Sequence, residues 1–158
     1  MIQLHTATVA DLDEVIAMGE QLQEESKPYE PLLVFDREQS HNHYRKELSN
    51  EMARIIVAVN ESGELVGYQY SYVSVLEYLA EANRECVLEA LYVKPDYRGK
   101  GIAKLLVQNA EYWAVTEMKA NRIKAGIYSG NVASEQVHLK DGFVPYYTEY
   151  IKYPNKSE

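Results

Sequence analysis

The stretch LEALYVKPDYRGKGIAKLL, residues 88–106, changes period in its middle. An apolar run up to Val93 is stopped by Pro95, which fits a strand covered on both faces. From Ile102 onward, Ile102, Leu105, Leu106, Ala110 and Trp113 recur at helical spacing, so a helix over 100–119 follows. Between them lies the turn, with Gly99 and Gly101 flanked by Arg98, Lys100 and Lys104. The first-turn amides of a helix have no internal partners and carry the positive end of its dipole. Two glycines let an anion approach them closely, and three cations add local charge. This is the pattern for a small polyanion such as a phosphate group. Two glycines that only make a tight turn beside solvated cations are the alternative on these residues alone. Neither GxxxxGK[ST] nor GxGxxG occurs.

Outward from this unit, the period switches several times. IQLHTAT reads as a strand, and Thr8 with Asp11 forms a capping box ahead of Leu12, Val15, Ile16 and Met18, a helix to about Glu25. KPYEP breaks it. A more polar helix spans Asp36 to Leu48, and ARIIVAVN, ESG and ELVGYQYSYVSV read as strand, turn and strand. NRIKAGIYSG predicts another strand, NVASEQVHLKDG a short helix closed by Gly142, and FVPYYTEYIKY a last strand. Strands with helices inserted singly predict one mixed α/β domain over 1–158.

Composition narrows the function classes. With 158 residues and 46% hydrophobic content, the chain can bury one core. No run reaches the roughly 18 apolar residues of a membrane span, and no secretory leader is seen at the amino end, so a cytoplasmic protein without membrane partners is expected. The single cysteine, Cys86, excludes an internal disulfide and a thiolate metal cluster. A formal charge of -8 disfavours nucleic acid and favours a cationic partner: a polyamine, an amino sugar or a basic peptide. His41 and His43 have no companion ligands, so no metal is expected.

Arg98 to Ala103, RGKGIA, fits the [QR]xxGx[GA] acyl-CoA motif of the GNAT N-acetyltransferase superfamily, and its strand-loop-helix setting matches. NVASEQVHLKDGF resembles that family's later segment, an asparagine opening a helix that ends in an xGF turn. The resemblance is strongest over 85–145. It implies a GNAT-like, mostly antiparallel central sheet with helices on both faces and splayed central strands. It also implies acetyl-CoA as co-substrate and direct transfer to an amine within a ternary complex.

Carried over by position, the amides of Arg98, Gly99, Lys100, Gly101, Ile102 and Ala103 hold the CoA pyrophosphate. The edges of Leu91 and Val93 pair with the pantetheine arm, an amide near Tyr92 stabilises the oxyanion, and Asn131 and Ser134 contact the cofactor. Glu89, nine residues before Arg98, resembles the catalytic glutamate of histone-acetylating members. It interrupts an apolar strand, where burial would make it a stronger base; binding the acceptor's charge is the other role open to it. His138 departs from the family pattern, which has a tyrosine four residues before the glycine of the xGF turn. A VH pair there and LEA in the strand are similar to some aminoglycoside 6'-N-acetyltransferases. Histidine could protonate the leaving thiolate or simply pack on the helix.

The acceptor is less defined. Glu77, Glu81, Glu85 and Glu89 with Glu24 and Glu25 suggest an acidic mouth, with a solvated charged surface as the more ordinary reading, and Tyr68, Tyr70 and Tyr72 alternate on one strand face that either lines that mouth or is half-buried sheet packing. Acidity ranks a small polycationic amine first, above a peptide amine; a CoA-binding module without catalysis and a nucleotide-binding domain are readings of other classes. The tyrosines of YYTEYIKY are expected to cover a sheet edge or to contact a second copy in a homodimer.

Overall fold

The computed structural model describes residues 1–78 and 83–155. Its strands, β1 (Gln3–Thr6), β2 (Ala53–Val59), β3 (Leu65–Leu76), β4 (Asn83–Val93) and β5 (Arg122–Ala125), form one sheet in chain order. Neighbours from β1 to β4 run antiparallel, and β5 runs parallel to β4. The helices are α1 (Leu12–Ser26), α2 (Arg37–Glu47), α3 (Ile102–Thr116) and α4 (Val132–Lys140).

Local chemistry sets the helix starts. The Thr8 amide and hydroxyl both donate to Asp11 Oδ2, at 2.8 and 3.0 Å, completing the expected capping box before α1. Asp36 caps α2 by accepting from the Gln39 amide at 2.9 Å. Asn131 does the same for α4 through the Ser134 amide at 3.3 Å.

Strand alternation divides the core into two layers. On one face Ile56, Val73, Cys86, Leu88 and Val93 pack against Ile102, Leu106, Ala110 and Trp113 of α3. On the other, Ile55, Val57, Tyr68, Tyr70 and Tyr92 meet Val15 and Met18 of α1, with Tyr44 of α2 against them. Each large side chain so buried contributes about 1.5–3 kcal/mol. Helices therefore cover both faces, as the resemblance implies.

A strict alternation would put Leu88 and Val93 on opposite faces, yet both face α3. The register explains it: Tyr70 pairs with Ala90 and Ser71 with Leu88, leaving Glu89 as an extra residue. That bulge resets the alternation. On the other side of β4, pairing with β5 covers only Glu85 to Leu88 and stops at Ala125. Beyond it the two strands part, and on that side no described strand pairs with Glu89 to Val93.

The expected last strand is absent among the described residues. The segment after Phe143 makes no ladder, and Val144, Tyr146, Tyr147, Tyr150 and Ile151 are exposed. Pro145 lacks a donor, and the neighbouring β5 is only four residues long, so little backbone is available for pairing. Side chains fix the segment instead: Tyr146 lies 4.7 Å from the Arg122 guanidinium, and the Tyr153 hydroxyl donates to Glu30 at 2.8 Å. Among the described residues no helix is long and apolar enough to cross a membrane.

Candidate active site

The splay between β4 and β5 opens a cavity of about 320 Å³. Leu22, Gln23 and Ser26 of α1 wall it on one face of the sheet, and Val107 of α3 with Ser134 and His138 of α4 on the other. The cavity therefore passes through the sheet. Glu89, Leu91, Asn131, Ser134 and His138, separated by up to 49 positions in the chain, share its wall. A larger recess of about 430 Å³ lies on the far side of the glycine loop; of the residues singled out above, only Lys100 and Ile102 border it.

Gly99 and Gly101 have φ of +73° and +80°, the left-handed region that only glycine enters cheaply. Nothing lies within 4 Å of a Cβ built on either, so the approach to the loop is open. From Gly99 to Lys104 no backbone amide donates to a described residue, and no side chain caps α3. A row of unpaired donors at a helix start suits a phosphate. The Arg98 amide is not among them, since it donates to the Pro95 carbonyl at 3.2 Å.

The Arg98 side chain also departs from expectation. Its guanidinium contacts both Glu25 oxygens at 2.9 Å, donates from Nε to the Val93 carbonyl at 2.8 Å and lies 5.3 Å over the Tyr92 ring. Its charge is matched by Glu25, and its work here is to tie the loop to α1. Lys100 donates to the Asp96 carbonyl at 3.0 Å.

Along the open edge of β4, the Lys94 amide donates to the Val66 carbonyl at 2.8 Å, which sets the ladder's parity. The amides of Ala90 and Tyr92 accordingly face β3, and those of Leu91 and Val93 face the gap. Tyr92 thus has no outward amide. Its side chain is buried on the α1 face, where burial and then Glu25 push the phenol up.

Glu89 is exposed, not buried as its apolar neighbours suggest. The bulge is the reason, because it turns the extra residue out of the packed sheet and into the cavity. Its charge acts on Tyr44, Tyr70 and Tyr72, which places the carboxylate toward α2. Tyr68 and Tyr70 are buried, and Tyr44 stands edge-on to Tyr70 at 5.3 Å. The Tyr70 hydroxyl donates to Glu47 at 2.6 Å, and burial followed by Glu47 holds its phenol far above the usual range. Of these tyrosines, Tyr44 and Tyr68 reach the cavity.

The wider acidic mouth is not assembled. Glu85 is buried between Arg122 at 2.5 Å and Lys124 at 3.2 Å, Glu24 pairs with Lys27 at 2.6 Å, and Glu25 holds Arg98. Glu77 is exposed, past the end of β3. Glu81 lies outside the described residues. Among the described members of the set, Glu89 alone lines the cavity, because local cations claim most of the others.

His138 is 5% exposed, with Phe143 edge-on at 5.1 Å. Its Nδ1 lies 2.8 Å from the Ser134 carbonyl, which can only accept, so Nδ1 carries the hydrogen. Nε2 is therefore the nitrogen that takes or gives a proton, and in the neutral ring it only accepts. Behind α4, burial and then the Asp141 carboxylate push the Glu111 carboxyl up to about 7.

Cys86 does not line the cavity, and burial pushes its thiol up to about 11. A protonated, enclosed sulfur is a poor nucleophile. Cys86→Ala is expected to leave turnover unchanged while lowering stability by about 1 kcal/mol, read from initial rates and a denaturant midpoint. A folded variant with no turnover would contradict this. Among the described residues no group of three or more His, Cys, Asp or Glu side chains is placed to hold a metal.

Solved structures share this architecture. A tetramutant of the BH1408 protein from Bacillus halodurans superposes with a TM-score of 0.82 at 17% identity, covering 96% of this chain and 99% of that one. The apo aminoglycoside antibiotic 6'-N-acetyltransferase AAC(6')-Ig from Acinetobacter haemolyticus gives 0.74 at 21%, with 99% of each covered. AAC(6')-Iy, in complex with the bisubstrate analogue CoA-S-monomethyl-acetylneamine, gives 0.76 at 17%, again with 99% of each covered. At these identities the likeness speaks for the fold. No curated protein matches the sequence significantly. The model of the Acetyltransferase (GNAT) family matches residues 18–143, spanning the glycine loop, the bulge and the cavity, and the chain therefore belongs to the GNAT acetyltransferase family.

Proposed function

We propose that the chain moves the acetyl group of acetyl-CoA directly to a primary amine of a small cationic acceptor of the aminoglycoside or polyamine class. One observation carries this reading: a cavity passes through the β4–β5 gap, with a carboxylate but no lysine or arginine among the described residues of its wall. The carboxylate in such a wall favours an ammonium group. The likeness to a 6'-N-acetyltransferase of aminoglycosides agrees with it at the level of fold.

The geometry supports the following roles. Amides from Gly99 to Lys104 would hold the pyrophosphate, and Leu91 with both outward backbone groups and Val93 with its outward amide would face the pantetheine arm, the Val93 carbonyl being held by Arg98. The oxyanion donor falls to one of those two amides in place of that of Tyr92; such a donor is worth about 3 kcal/mol in acyl transfer. Asn131 spends its Oδ1 on capping α4 and keeps its amide hydrogens for the cofactor, with the Ser134 side chain beside it. The amine nitrogen attacks the thioester carbon, the carbon–sulfur bond breaks, Glu89 takes the ammonium proton, and a proton goes to the departing sulfur.

His138 can give that last proton only as imidazolium, because the Ser134 carbonyl already occupies Nδ1–H. His138→Ala should therefore lower turnover about 10-fold or more, read from initial rates of CoA thiol release. A rate profile identical to wild type would remove the acid role. The reading as a whole is tested by acetyl-CoA-dependent release of CoA thiol across a panel of polyamines, aminoglycosides and peptides. Release driven by polycationic amines is expected; release driven by peptides alone would move the acceptor to the peptide class.

A further inference from the structure

Gln69 sits in the middle of β3, opposite Ile56 on β2 and Leu91 on β4, on the face covered by α3. Its side chain is 0% exposed, an unusual place for an amide between apolar neighbours. Nε2 donates to the Tyr70 carbonyl at 2.7 Å, beside the bulge. A carbonyl cannot donate, so this bond fixes which way the amide points and leaves Oε1 as the other end. Oε1 is buried without a hydrogen-bond partner, yet Gln69 lines the cavity that holds Leu91, Asn131 and His138. A second atom of the same kind, Gln23 Oε1 of α1, belongs to the opposite wall.

A buried carbonyl oxygen with no donor is costly, and an apolar residue of equal size would avoid that cost. The oxygen is useful if a ligand brings the missing hydrogen. We propose that Gln69 is a ligand-recognising residue whose Oε1 accepts a hydrogen bond from an N–H group bound in the cavity, either an amide of the acyl-CoA arm or the ammonium of the acceptor. The inference rests on the acetyl-CoA reading above. It adds a specificity element on the α3 face of β3, opposite the face whose tyrosines were expected to line the acceptor mouth.

The test uses Gln69→Leu and Gln69→Met, which keep the volume and remove the acceptor. Three quantities are measured: the melting temperature of the ligand-free protein, acetyl-CoA affinity by calorimetry, and KM for the best amine. The melting temperature should hold or rise in at least one variant, because an unsatisfied group has been removed. Ligand binding should weaken about five- to tenfold, the worth of one hydrogen bond. A loss in acetyl-CoA affinity assigns the donor to the cofactor arm, and a rise in amine KM assigns it to the acceptor. Unchanged affinity and KM in both folded variants would overturn the inference and leave Gln69 as a brace for the bulge. A wild-type protein that binds no acetyl-CoA would overturn the parent reading, and this one with it.

Discussion

Gly101→Glu should abolish the thermal stabilisation that acetyl-CoA confers on the wild-type protein. At a concentration near 100 times Kd, a ligand adds about 2.7 kcal/mol, which for a domain of this size raises the melting temperature by roughly 5–11 °C. Gly101 is the residue before α3 and lies at φ +80°, with open space where a side chain would go. A glutamate there sends its carboxylate into the approach that the pyrophosphate needs, and affinity should fall on the order of 100-fold. The ligand-free fold should survive. A left-handed conformation costs a residue with a Cβ about 1–2 kcal/mol, and a carboxylate at a helix start recovers part of that. Gly101→Ala carries the backbone strain without the charge, so it should keep most of the ligand-induced gain. Equal gains for wild type and Gly101→Glu would move the pyrophosphate away from this loop.

Glu89→Gln should lower kcat about 100-fold at neutral pH, the usual weight of a positioned general base. An amine with a pKa near 10 arrives protonated, and nucleophilic attack requires its lone pair. Among the described residues of the cavity wall Glu89 is the one carboxylate, delivered there by the bulge. The substitution keeps shape and removes charge, so the partition of its effect is informative. A fall in kcat with KM for the amine held identifies proton removal. A rise in KM with kcat held would reassign Glu89 to gripping the ammonium and would leave deprotonation to water.

The order of elements was readable because each relies on local chemistry. The Thr8–Asp11 box, the Asp36 and Asn131 caps and the apolar spacing of 102, 106, 110 and 113 all act within a few residues. What escaped depends on distance in the chain. Arg98 is matched by Glu25, 73 residues earlier, so a cation that looks available for phosphate is engaged elsewhere. Glu85 is neutralised by Arg122 and Lys124 from the neighbouring strand, which dissolves most of the acidic mouth. The bulge left a trace that only becomes meaningful beside the structure. Cys86 and Leu88 are even-numbered, Leu91 and Val93 are odd, and all four belong to one face. The last strand failed for the opposite reason: its tyrosines favour strands, but a strand also requires a ladder partner, and β5 offers four residues.

The central claim is that the loop from Gly99 to Lys104 and the gap beside β4 form one acyl-CoA site. The most direct test is a calorimetric titration of acetyl-CoA into the wild-type protein. One-to-one binding in the micromolar range is predicted, with heat that disappears in Gly101→Glu. No binding by the folded wild-type protein would contradict the account.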